Sequence, residues 1–139
     1  MSKITIEFIN HNEQKYNTCG DWRRDKQGDL QIKISKLGDA RADTLVAIHE
    51  LVEVLLCEIK GVSCAAVDRF DIEFDNSDES IGEPGDQPDA PYRDEHCMAT
   101  AVERMLCAYI GLAWMDYDAL IDRATENYNP KKKGIDAIK

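Results

Sequence analysis

Residues Thr44 to Lys60 read TLVAIHELVEVLLCEIK and are followed by Gly61, a residue type that often ends helices. At about 100° per residue, the larger apolar side chains form one broad arc along a helix that Asp39 or Asp43 could cap. This arc consists of Leu45, Ile48, Leu51, Val52, Leu55, Leu56 and Ile59. Because further apolar residues lie on the other side, we expect most of this helix to be buried and to organise the fold.

Two polar side chains within the motif HELVE share one face of this helix. His49 and Glu53 are four residues apart, so both can point at a common centre, whereas Glu50 points about 100° away from His49. A carboxylate in apolar surroundings costs several kcal/mol unless it is paired, protonated or bound to a cation. The helix therefore needs a polar or cationic partner.

A second helical stretch, from Tyr92 to Ile110, offers that partner. His96 and Glu103 lie about two turns apart and share a face that borders an apolar arc. That arc consists of Met98, Val102, Met105, Leu106 and Tyr109. If the two helices pack through their apolar arcs, the polar faces meet and bring together two histidines and up to three carboxylates.

This combination predicts a divalent metal site with His49, Glu53 and His96 as its ligands. Two imidazoles and one carboxylate suit zinc with an open fourth position, which we favour, and they also suit iron or manganese. The alternative is that His49 and Glu53 form a buried hydrogen-bonded pair, with His96 and Glu103 as a second pair and no metal.

Three further acidic residues have candidate roles at this site. Glu50 is the candidate general base for metal-bound water. Glu103 could orient a ligand or bind the metal itself, and Asp71 on a shorter helix could supply another carboxylate.

The remaining segments predict a small sheet and two more helices. Apolar and polar residues alternate from Ile4 to Phe8 and from Leu30 to Ile34, as in half-buried strands, and the Trp-containing segment between Cys19 and Gly28 could form a third strand. Helices are predicted from Cys64 to Phe74 and from Trp114 to Asn127.

We therefore expect one α+β domain over residues 1–139. A small N-terminal antiparallel or mixed β-sheet packs against the HELVE helix and a C-terminal helical part. Residues 76–91 are rich in Gly, Pro, Asp and Ser and predict a long loop that is either a lid or disordered. Residues 130–139 predict a flexible tail.

The charge and the cysteines limit the classes of function. A net charge of −10 would repel a phosphate backbone, so we expect no direct nucleic-acid binding. The five cysteines include no CxxC pair, which favours reduced thiols. With no apolar run approaching the roughly 20 residues that span a bilayer, we expect a cytoplasmic protein with no membrane partner.

The strand LQIKISKL followed by a helix with HELVE resembles the zincin metallopeptidases, over roughly residues 30 to 60. This resemblance implies that His49 and the residue at position 53 bind zinc, that Glu50 is the base, and that a third ligand comes from downstream. Glu53 stands where that family has a second histidine, which weighs against peptidase activity more than against a metal site.

The ordered segments GDW, HELVEVLLCEIKG, EPGD, APYRDEH and ATAVERML resemble uncharacterised small proteins encoded by tailed bacteriophages, across nearly the whole chain. The likeness implies no particular activity. It does imply that Glu83 to Arg93 borders the site as a lid, because this segment leads directly to His96. A phage origin would place the protein in the host cytoplasm.

Three functional hypotheses follow. The leading one is a metal-dependent hydrolase of zincin type acting on an unknown substrate. The second is a phage accessory protein that binds a host component, with its metal structural or absent. The third is a nucleotide pyrophosphohydrolase, a family with an ExxE motif on one helix and an ExxD motif on the next. Glu50 and Glu53 resemble the first motif. The second motif is missing, because Leu106 follows Glu103 at the position where that family has an aspartate.

Overall fold

The computed structural model describes residues 3–77 and 82–132, which form a mixed sheet followed by helices. The strands are β1 (Ile4–Ile9), β2 (Gly20–Arg24) and β3 (Leu30–Ser35). The helices are α1 (Ala40–Lys60), α2 (Cys64–Asp75), α3 (Arg93–Tyr109) and α4 (Trp114–Glu126). This architecture confirms the predicted α+β class.

The sheet has the strand order β1-β3-β2, so the last strand in sequence lies in the middle. β1 runs parallel to β3, and β2 runs antiparallel to it, which makes the sheet mixed. Leu30, Ile32 and Ile34 of β3 are almost completely buried. The alternation that predicted this strand therefore marks the face that packs into the core.

Helix α1 begins one turn earlier than predicted, at Ala40. The Asp39 carboxylate accepts a hydrogen bond from the backbone N–H of Arg41, so Asp39 is the N-cap. Gly61 ends the helix in the left-handed conformation, with φ of 74°. Between these ends α1 packs against β2, β3 and α3.

The predicted packing of the two helices through their apolar arcs is wrong. Helix α3 instead buries a face made of Glu95, His96, Ala99, Glu103 and Cys107. Its predicted apolar arc remains largely in solvent, since Met105 is 66% exposed and Tyr109 86%.

The C-terminal part of α1 shows the same reversal, whereas Leu45 near its start is buried as predicted. Ile59 is 77% exposed, whereas Val54 and Cys57 on the opposite side are completely buried. The physical reason is that histidines and carboxylates of the two helices satisfy one another across their interface. Burying these polar faces therefore costs far less free energy than the apolar periodicity suggests.

The segment between α2 and α3 is described from residue 82 onward. It contains one short 3-10 turn, Pro84–Asp86, which packs against both α2 and α3. Residues 78–81 of the predicted loop and 133–139 of the predicted tail lie outside the described residues. Within the described part of the chain, no helix combines the length and the apolar character needed to cross a membrane.

Candidate metal centre

Helix α1 supplies two neighbouring ligand atoms from one face. His49 and Glu53 are one turn apart and both buried, and Nε2 of His49 lies 3.2 Å from Oε2 of Glu53. The four-residue spacing therefore does what the sequence predicts, because it directs an imidazole and a carboxylate at the same point.

Helix α3 brings His96 to that point. Its Nδ1 lies 2.9 Å from Oε2 of Glu53 and 3.2 Å from Nε2 of His49. Ligands around a tetrahedral zinc ion with bonds of about 2.0–2.1 Å are separated by roughly 3.3 Å. The three predicted ligand atoms thus form a triangle of nearly the size that zinc requires.

The outer nitrogen of His49 is held by a carboxylate. Nδ1 of His49 donates to Oε1 of Glu103 over 2.9 Å, and Oε2 of Glu103 in turn accepts from the hydroxyl of Tyr117 on α4. In its neutral form with the proton on Nδ1, His49 would present a lone pair on Nε2 toward the other two ligands. This is the arrangement that commonly supports histidine ligands of metals, and it places Glu103 where the predicted orienting role would require it.

The carboxylate of Glu53 is also oriented from outside. The indole Nε1 of Trp22 on β2 donates to Oε1 of Glu53 over 3.2 Å, which leaves Oε2 for the centre. Sequence reasoning assigned Trp22 only to a strand and did not assign Tyr117 any role. Neither residue stands at a spacing that links it to the HELVE motif.

Without a cation, the centre carries protons instead. Burial acts to lower the pKa of His49, but hydrogen bonds to Glu103 and Glu53 outweigh burial and raise it to about 11. For His96, burial is likewise outweighed by Glu53 and Glu83, and the pKa rises to about 10. Burial would raise the pKa of Glu53, yet the two imidazoles hold it at about 2. A metal ion would therefore displace protons from both rings.

Glu50 lies beside the ligands on the wall of the same cleft. It is buried, and burial together with the charge of Glu53 raises the pKa of its carboxyl well above the usual value. Gly20 of β2 makes room for this side chain, since a Cβ atom at position 20 would overlap Cγ and Cδ of Glu50.

Gly20→Ala should therefore displace Glu50 and lower the free energy of unfolding by about 1–3 kcal/mol, the usual cost of overpacking. We expect most of this cost to disappear in a Glu50→Ala background, because the overlapping atoms are then gone. Chemical denaturation of the four proteins in this cycle measures the coupling. An equal cost in both backgrounds would contradict the steric explanation.

Tyr117→Phe should weaken metal binding by at most the roughly 10- to 100-fold that loss of a group in contact with a ligand costs, because Tyr117 acts on His49 through Glu103. The change leaves all three proposed ligands in place and removes only the hydroxyl that holds Glu103. Tyr128→Phe is the matched control, because the Tyr128 hydroxyl donates to the backbone oxygen of Gln14, away from the centre. Zinc affinity measured by competition with a chromophoric chelator should separate the two variants.

Asp71 is not among the ligand atoms that the structure brings together. Its carboxylate accepts hydrogen bonds from the hydroxyls of Tyr16 and Tyr92. Burial raises its pKa to about 7, against the effect of the two tyrosines. Asp71 lines the cleft and shapes its wall.

The centre lies in a cleft of about 680 Å³. Among the described residues, ten acidic side chains but only one arginine, Arg104, line this cleft. Comparisons with protein-family models, with curated proteins and with solved structures found no match to this chain. The resemblances to zincins and to phage proteins therefore remain predictions.

Proposed function

We propose that the protein is a metal-dependent hydrolase whose cation is held by His49, Glu53 and His96. The convergence of their three ligand atoms within 3.2 Å of one another supports this proposal most strongly. Two separate buried ion pairs would not require Nε2 of His49 and Nδ1 of His96 to lie beside the same carboxylate oxygen of Glu53. A shared cation explains that contact, because each atom then points at the ion.

The chemistry would be divided between the cation and this chain's own groups. A bound zinc ion would act as a Lewis acid and lower the pKa of water. Glu50 would accept the proton, since a carboxylate whose pKa is raised by burial is a stronger base than an ordinary glutamate. Glu103 and Trp22 would keep His49 and Glu53 in position without contacting the substrate.

The cleft limits the substrates that fit this proposal. Its lining is strongly acidic, so a neutral or cationic substrate is favoured over a polyphosphate. Of our hypotheses, this charge balance disfavours the nucleotide pyrophosphohydrolase. A volume of about 680 Å³ is comparable with that of ordinary small-molecule sites and would also admit a short peptide segment.

The test is hydrolysis of quenched-fluorescence peptide and ester panels by the wild-type protein. Activity should disappear after dialysis against a chelator and return with added zinc or manganese. Hydrolysis that is insensitive to chelation, or a protein that binds neither metal, would overturn the proposal. Glu95→Gln is the control for variants of Glu50, because both glutamates are 9% exposed and Glu95 does not line the cleft.

A second candidate function, binding to another protein, is favoured by the exposed apolar side chains of α1 and α3. Leu55 and Ile59 on α1 and Met98, Met105 and Tyr109 on α3 lie in solvent, as contact residues of a protein interface would. If Ile59→Asp and Tyr109→Asp abolish association with a partner while zinc binding is unchanged, the two functions belong to separate surfaces.

A further inference from the structure

The outer side of the His96 ring faces two carboxylates. Nε2 lies 3.1 Å from Oε2 of Glu83 and 3.2 Å from Oδ1 of Asp86. His96 itself is only 6% exposed, whereas the side chains of Glu83 and Asp86 are 54% and 56% exposed. A buried nitrogen thus lies close to carboxylates that solvent and ions can reach.

The positions of these oxygens differ from those of hydrogen-bond acceptors. Among the residues that the structure describes, Nε2 of His96 has no hydrogen-bond partner, although two carboxylates lie close by. An N–H group needs its acceptor near the direction of the N–H bond. Ligands of one cation instead lie beside one another, at about 3.0–3.4 Å for bonds of about 2.1 Å. The observed separations fall in that interval.

We propose that Glu83, Asp86 and Nε2 of His96 form a second divalent-cation site, which the His96 ring joins to the first. In this arrangement each ring nitrogen binds one cation, and both ring protons leave to solvent. The inference rests on the proposed hydrolase site insofar as His96 is shared, and it extends that site from one cation to two.

The Pro84–Asp86 turn holds the new ligands in place. The backbone N–H of Asp86 donates to the carbonyl oxygen of Glu83 over 3.2 Å, which closes the turn between the two carboxylates. Gly85 lies directly against the imidazole, where a Cβ atom would overlap Cγ of the His96 ring. The turn therefore lies in contact with the His96 ring and brings an acidic side chain from each of its ends close to Nε2. Such oxygen ligands with one imidazole suit manganese or zinc.

Zinc stoichiometry tests the proposal. After equilibrium dialysis of the protein against free zinc, we expect two equivalents in wild type and one in the double variant Glu83→Gln/Asp86→Asn. His49→Ala should also retain one, now at the second site. The variant Asp89→Asn/Asp94→Asn is the matched control, because it removes two nearby negative charges and should keep two equivalents.

The possible outcomes separate the two proposals. One equivalent in both wild type and Glu83→Gln/Asp86→Asn would overturn the second site and leave the first. Two equivalents in both would also overturn it, because the second ion would then lie elsewhere. No binding by wild type would overturn both proposals together.

Manganese alone provides a test of the shared ring. Two Mn²⁺ ions joined through one imidazole should couple magnetically, so the electron paramagnetic resonance spectrum of doubly loaded wild type should be broadened. Glu83→Gln/Asp86→Asn should give the spectrum of an isolated ion. Two uncoupled ions in wild type would overturn the bridge through His96.

Discussion

Zinc at a thousandfold excess over its dissociation constant should raise the free energy of unfolding of the wild-type protein by about 4 kcal/mol. For a chain of this size, that gain corresponds to an increase in melting temperature of roughly 10–15 °C. His49→Ala should remove the part of this gain that comes from the first site, because the three-ligand set loses the member that Glu103 orients, and should keep only what zinc at the second site contributes. Calorimetric melting with and without zinc measures the gain for each protein.

The quantity to compare between wild type and His49→Ala is the increase in the free energy of unfolding on adding zinc, because the two proteins also differ in stability without zinc. His49→Ala also leaves Oε1 of the buried Glu103 carboxylate without the donor that His49 supplies, so the metal-free variant should already be less stable. His11→Asn is the control, because His11 bonds Ser35 and Asn17 outside the centre. If that variant also lost the gain, zinc would be acting through histidines in general and not through this site.

Glu50→Gln should lower the rate of hydrolysis by about 100- to 10,000-fold, the usual contribution of a positioned general base. Bound metal should remain at the wild-type level, because Glu50 is not one of the three proposed ligands. A parallel loss of metal would show that the residue holds the cation instead. Glu95→Gln should leave both the rate and the metal content unchanged.

Although Glu50→Gln should lower the rate of hydrolysis, it should raise the stability of the metal-free protein. Burial raises the pKa of Glu50 in the folded protein, so as pH rises above 4.5 the unfolded chain releases this proton first and the folded state loses stability. Metal-free Glu50→Gln lacks this loss and should be about 1–3 kcal/mol more stable than wild type at pH 8. Urea titrations at pH 4.5 and pH 8 measure the difference, which should be small at the lower pH. A difference in stability that is equal at the two pH values would contradict this role for the Glu50 proton.

Helix α1 could be predicted closely because its signals are local. The spacing of its apolar residues, the cap at Asp39 and the break at Gly61 each depend on a few neighbouring residues. The packing of α3 could not be predicted in this way. Periodicity ranks residues by hydrophobicity, and it does not register that Glu103 and His96 become satisfied once α1 is beside them.

The residues of the candidate centre differ in the same way, because some can be predicted from local spacing and others cannot. His49, Glu53 and His96 were found because helical spacing places them on faces that can meet. Trp22 and Tyr117 were missed because each reaches the centre from another element, through a contact that only the tertiary fold creates. Glu83 and Asp86 lie in a segment expected to border the site, but nothing in their spacing assigns them to the outer nitrogen of His96.

The ligand triangle also has a consequence for the lifetime of the folded state. Its members span 47 positions of chain, from His49 to His96, so the triangle exists only when α1 and α3 are docked. If these helices dock after the folding transition state, a cation that joins them stabilises only the native side of the barrier. Zinc would then slow unfolding and leave the refolding rate nearly unchanged, and loaded protein would resist proteases for longer than the metal-free form.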